Sequence, residues 1–278
     1  MTLRFTIPLK FTESHRQVVY RYLSTPESLP PHIWATLFEA MDLLRTAMVS
    51  RHPGQQRTFA SLYHSLLDLR YADAYIATLL DSENPSQISM PLWAAVARRI
   101  TQELRTSEFF EPNVPGSRLL VGYLLYWWQQ FARGYAFEIE ILQDLTASHL
   151  DFKSHNLRVR TKRLSPVDLV VASFRGDVKT STYFLAQQRH PDPDIDFYIT
   201  RAWLPTSRVR TLVVFLRPAM WQKIDGETSQ TTLDTLEQVL PQPGSVQIGT
   251  QTVIVVDYEI WKEKMRIYQR EVQDDSDA

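Results

Sequence analysis

The chain is expected to fold as a mixed α/β protein, with a helical N-terminal region ahead of a strand-rich domain. Three observations predict this. Through roughly the first hundred residues, apolar side chains recur at three- and four-residue spacing. From Leu150 onward the period shortens to two, in short runs rich in Val, Ile, Phe, Tyr and Thr. Between the two regions, FFEPNVPGS at 109–117 gathers turn-forming residues and marks a domain boundary. The division is therefore a helical region over 1–115 and an α/β domain over 116–278.

Taken in order, PPHIWATLFEAMDLLRTAMV carries Ile33, Leu37, Met41, Leu44 and Met48 on one helical face. SLYHSLLDLRYADAYIATLL repeats the pattern, as does PLWAAVARRITQELR, where Pro91 suits a helix start. HPGQQ and DSENPS separate these segments. Leu119 to Phe131 is apolar nearly all round, which predicts a buried helix. Gly134 interrupts that pattern. GYAFEIEILQDL then fits either a strand or a helix; helix is preferred because no turn signal intervenes before Leu145. LDFK, PVDLVVASF, GDVKTSTYFL, DFYITRAWL, RTLVVFLR and VQIGTQTVIVVDYEIW read as strands. TTLDTLEQVL reads as a short helix, YEIWKEKMRIYQREV as a closing polar helix, and DDSDA as a frayed tail.

Composition removes several function classes. The chain has no cysteine, so it has no disulfide, no thiolate metal site and no cysteine nucleophile, as suits a reducing compartment. It contains neither GxxxxGK[ST] nor GxGxxG nor HExxH, which argues against P-loop, Rossmann and zincin chemistry. MTLRFTIPLKFTESH lacks the apolar stretch of a signal peptide, and LLVGYLLYWW at 119–128 is too short to cross a bilayer. A cytoplasmic protein with no membrane partner is expected. The formal charge of −1 conceals a gradient. Residues 117–220 hold 14 basic against 9 acidic side chains, whereas 221–278 hold 5 against 11. The middle third could therefore attract a polyanion.

The chemistry concentrates in SPVDLVVASFRGDVKTSTYF at 165–184. On a strand, Asp177 and Lys179 project from one face while Val178 turns into the core. If FRG at 174–176 reverses the chain, two antiparallel strands bring Asp168 beside Asp177. Converging carboxylates make a hard oxygen site of the kind Mg²⁺ prefers. An ammonium beside them, that of Lys179, can orient a water or offset charge developing on a phosphate. A carboxylate from the preceding helix would complete the site.

Pro166-x-Asp168, followed nine residues later by Asp177-x-Lys179, resembles the active-site signature of the PD-(D/E)xK nuclease superfamily over about residues 117–220. The resemblance implies a restriction-endonuclease-like αβββαβ core and hydrolysis of phosphodiester bonds, in DNA by preference. It implies Mg²⁺, or Mn²⁺, held by Asp168, Asp177 and Glu138, with Lys179 as the fourth catalytic residue. Glu138 matches the family's accessory helix-borne glutamate better than Glu140, and the two cannot share a helical face, being two residues and about 200° apart. The alternative is a catalytically silent nuclease-like module that binds DNA or a protein partner.

KSHNLRVRTKR at 153–163 lies just ahead of Asp168 and is a candidate phosphate-gripping strand or loop. Its candidates are Lys153, His155, Arg158, Arg160, Lys162 and Arg163, with Arg158 and Arg160 on one face. The hydroxyls of Thr180 and Ser181 join them. A homodimer or partner protein would dock through the N-terminal region.

Overall fold

The expected helices of the N-terminal region form, but a small sheet stands among them. The computed structural model describes residues 2–25, 29–52, 54–68, 71–163, 165, 167–180, 194–203 and 209–277, with backbone only for residues 31, 68, 162, 203 and 275–277. The chain divides into two units, Met1–Arg133 and Gly134–Ala278. Among the described residues no helix is long and apolar enough to cross a membrane.

In the first unit, α1 (Glu13–Ser24) begins at Thr12, whose hydroxyl accepts the His15 N–H while the His15 ring accepts the Thr12 N–H. The second helix, α2 (Pro31–Leu44), stops short of the expected Met48. Met48 instead enters β2 (Met48–Ser50), which lies between β1 (Arg4–Thr6) and β3 (Gln56–Thr58) in an antiparallel sheet. The reason is local: the chain turns at Arg45 and Thr46, and Val49 is then buried within the small sheet. Next come α3 (Phe59–Tyr63), a π-helical turn at His64–Asp68, and α4 (Ala72–Leu80). The helix α5 (Pro85–Thr106) starts at Pro85, not at Pro91. Pro85 takes the first helical position, where its missing N–H costs nothing, and Pro91 lies within the helix.

The punctuation at 109–117 separates α5 from α6 (Pro115–Ala147). The two units divide later, within α6, between Arg133 and Gly134. Gly134 does not interrupt this helix: a Cβ there would meet nothing within 4 Å, so its cost is one of helix propensity, about 1 kcal/mol. Residues 134–145 are helical, with Phe137, Ile141 and Leu145 in the core of the second unit. The helix ends where His149 adopts a left-handed φ of 55° and the Leu150 N–H reaches back to the Leu145 carbonyl.

The second unit is built on an eight-stranded mixed sheet in the order β4-β5-β6-β7-β8-β11-β10-β9. Its strands are β4 (Phe152–Ser154), β5 (Leu169–Val171), β6 (Phe174–Lys179), β7 (Phe197–Trp203), β8 (Val209–Phe215), β9 (Ser229–Thr231), β10 (Gly244–Ile248) and β11 (Gln251–Asp257). Strands β4, β5 and β6 form an antiparallel meander, and β7 then runs parallel to β6. Two short helices, α7 (Pro218–Gln222) and α8 (Leu236–Val239), lie between later strands. The chain closes with α9 (Tyr258–Asp277), which carries the expected tail to Asp277 as helix.

The central strands are apolar on both faces, as in sheets covered on both sides. Phe197, Ile199, Val213, Phe215, Ile254 and Val256 share one core with Phe137, Ile141 and Leu145 of α6 and Trp261 and Met265 of α9. Tyr198, Leu212, Val214, Val253 and Val255 point to the other core, with Leu236 of α8. The period-two alternation thus decides which side chain faces which core.

Candidate metal centre

The expected convergence of Asp168 with Asp177 is present, but the chain reverses at a different place. Ala172 and Ser173 make the turn, with Ala172 at a φ of 46°, so FRG at 174–176 is not the turn. Gly176 lies inside β6 opposite Leu169. Its lack of a side chain serves packing: a Cβ there would stand 2.4 Å from the Phe197 ring of β7.

Asp168 immediately precedes β5. Its N–H donates to the Gly176 carbonyl at 3.0 Å and its own carbonyl accepts the His155 N–H at 3.2 Å, so backbone bonds hold it from both sides. Its carboxylate accepts the Val178 N–H at 2.8 Å. Asp177, on β6, is buried and hydrogen-bonded to the Asp168 carboxyl. Burial first, and then the Asp168 carboxylate, push the Asp177 carboxyl up to about 7, although the Lys179 ammonium pulls the other way. That ammonium lies 2.5 Å from Asp177 and is about half exposed. Val178 turns into the apolar core, as the strand period requires.

Glu138 reaches the same place from α6. Its carboxylate, 10% exposed, stands 2.8 Å from His155 Nε2. Glu140 is committed elsewhere: it pairs with Arg201 at 2.6 Å, and that guanidinium lies over the Phe137 ring. The two glutamates diverge as a helix separates positions two apart.

His155 differs from expectation. As a phosphate-gripping residue it would need to be exposed, yet its ring is 6% exposed and lies between two carboxylates. Its Nδ1 is 3.5 Å from Asp168 and 3.4 Å from the Val167 carbonyl. Burial lowers its basicity, but Glu138, Asp168 and that carbonyl outweigh burial and leave it above the ordinary histidine value. Although Glu138 Oε1 and His155 Nε2 are close, they are not aligned as a hydrogen bond, and both atoms are buried without a hydrogen-bond partner. Ligand atoms of Glu138, His155 and Asp168 all lie within 4.8 Å of one another. The signal for His155 was its register: the pairing of Ser154 with Leu169 sets His155 opposite Asp168, which is visible only once β4 and β5 are aligned.

The remaining basic candidates do not form a strand face. Lys153 is exposed on β4, whereas Arg158 and Arg160 are exposed beyond the strand, where the chain forms a 3₁₀ turn at Arg160–Lys162. Arg163 is half-buried, and Thr180 follows Lys179 at a bend. Pro166, Ser181 and the Lys162 side chain lie outside what is described. No protein-family model, curated protein or solved structure matches this chain.

Proposed function

We propose that the chain is a divalent-metal-dependent nuclease that hydrolyses phosphodiester bonds, with DNA the favoured substrate. One observation carries the reading: Asp168 and Asp177 converge between β5 and β6, with Lys179 against Asp177 and Glu138 arriving from α6. The strand order supports an αβββαβ core, since α6 precedes an antiparallel meander and β7 then runs parallel to β6. The connection at 181–193 lies outside the described residues.

The donor set fits a divalent cation. Asp177 is buried and so close to the partly buried Asp168 carboxyl that it resists ionisation, and a Glu138 oxygen is buried without a hydrogen-bond partner. Asp168 and Asp177 would hold the ion and Glu138 would support them. When bound, such an ion polarises a phosphoryl oxygen and lowers the pKa of a coordinated water. Lys179 Nζ, kept in place by Asp177, orients the attacking water and offsets charge developing on the phosphate. Lys153, Arg158 and Arg160 are exposed and would engage backbone phosphates.

The test is cleavage of single-stranded, double-stranded and branched DNA with Mg²⁺ or Mn²⁺. Lys179→Ala is expected to lower the rate by about 100-fold or more, in line with losing a positioned electrostatic group. Cleavage that ignores this substitution would sink the assignment. The ion pairs of Lys179 with Asp177 and of His155 with Glu138 favour a second reading, because they already give the carboxylates positive partners. In that reading the chain is a catalytically silent module for DNA or a protein partner. Calorimetry with Mn²⁺ separates the two, since a silent module takes up no ion at Asp168 and Asp177.

A further inference from the structure

We infer that His155 is itself a metal ligand, through Nε2, and that this nitrogen makes the centre select first-row transition ions over Mg²⁺. The inference rests on the metal centre of the nuclease reading and names its preferred ion.

The His155 ring is oriented by its other nitrogen. Nδ1 faces two acceptors, the Val167 carbonyl at 3.4 Å and the Asp168 carboxylate at 3.5 Å. A proton on Nδ1 serves both, and it leaves Nε2 as a lone pair. Histidine ligands are commonly set in this way, with the non-ligating N–H held by a carbonyl or carboxylate. That lone pair lies 2.8 Å from Glu138 Oε1, and neither atom has a hydrogen-bond partner although both are buried. Two lone pairs at this separation need a cation between them: without metal a proton serves, as in the His155–Glu138 ion pair, and a bound ion displaces that proton because a ligating imidazole is neutral. Neighbouring corners of an octahedron with bonds of 2.0–2.1 Å are about 2.9 Å apart, so the pair has the spacing of two donors on one ion.

Three separate elements supply the donors. Glu138 comes from α6, His155 from the end of β4, and Asp168 from the start of β5, and their ligand atoms fall within 4.8 Å. Backbone pairing of His155 with Asp168 makes this spacing a property of the sheet. The chemistry of the set then discriminates between ions. Mg²⁺ holds oxygen donors and water, whereas imidazole favours first-row transition ions. A centre of carboxylates alone would not make that distinction.

The experiment is Mn²⁺ bound to the full chain and read by pulsed electron paramagnetic resonance. Wild type is expected to show ¹⁴N modulation from a single imidazole, and His155→Gln and His155→Asn to lose it while keeping their circular dichroism. By calorimetry, the preference for Mn²⁺ over Mg²⁺ should fall about tenfold or more in His155→Gln, as for loss of one ligand or its support. Bound Mn²⁺ without nitrogen modulation in wild type overturns the assignment and leaves the nuclease reading standing. So does modulation that survives both substitutions. No Mn²⁺ binding overturns both. Among the described residues this is the one such cluster, so the wild-type spectrum carries the test even where the variants fold poorly.

Discussion

Asp177 sits where ionisation is costly: it is buried against a second carboxylate, and its folded value of about 7 lies well above its ordinary 3.8. A carboxyl raised on folding leaves stability intact below pH 4 and removes it as pH climbs from about 4 to about 7, because the folded state keeps the proton longer. The span corresponds to roughly 4 kcal/mol. Without divalent ions, Tm is therefore expected to fall across that window. Asp177→Asn should flatten the fall and raise Tm at pH 8, while Mn²⁺ should raise Tm of wild type only. A variant no more stable than wild type at pH 8 would show that Asp177 is not the destabilising charge. Gly176 makes the opposite case, of a side chain whose absence matters. Gly176→Ala drives a methyl into the Phe197 ring and is expected to cost about 1–3 kcal/mol in urea denaturation. Neither effect is legible in the residue itself. The D-x-K spacing is readable, whereas the proximity of Asp168 depends on how β5 and β6 pair.

At the scale of elements, the long helix and the strands that follow it were readable because their patterns are long. Phe137, Ile141 and Leu145 recur at helical spacing and all enter the core. Short elements escaped the pattern. The strands β1, β2 and β3 are three residues each, and three residues carry no period. The hairpin turn lies away from the glycine for a related reason: Gly176 has the composition of a turn, but Ala172 has the backbone angle. The end of α6 offers a direct check. His149 is exposed and holds φ at 55°, a conformation that glycine adopts without strain. His149→Gly is expected to stabilise the chain by about 1 kcal/mol, seen as a rise in Tm. No rise would mean that the imidazole makes interactions worth as much as the backbone strain.

At the scale of the whole molecule, the uneven charge becomes useful once the site is placed. The 14 basic residues of 117–220 belong to the stretch that includes Asp168, Asp177 and Lys179. On the nuclease reading, binding to DNA is therefore expected to weaken steeply with salt. Replacing Lys153, Arg158 and Arg160 together by Ala is expected to reduce the slope of log K against log salt by about one for each phosphate no longer neutralised. An unchanged slope would remove these residues from the interface.

Sequence alone specifies the α/β class, the change of period at Leu150, and the projection of Asp177 and Lys179 from one strand face. These depend on local periodicity, which neighbouring residues specify. The tertiary fold was needed to show that His155 leaves the basic cluster for the carboxylates, that Glu140 pairs with Arg201, and that Gly176 is a packing residue. Each of those outcomes turns on the register between distant strands or on the face a helix presents. Register is a relation between segments, and no single segment contains it.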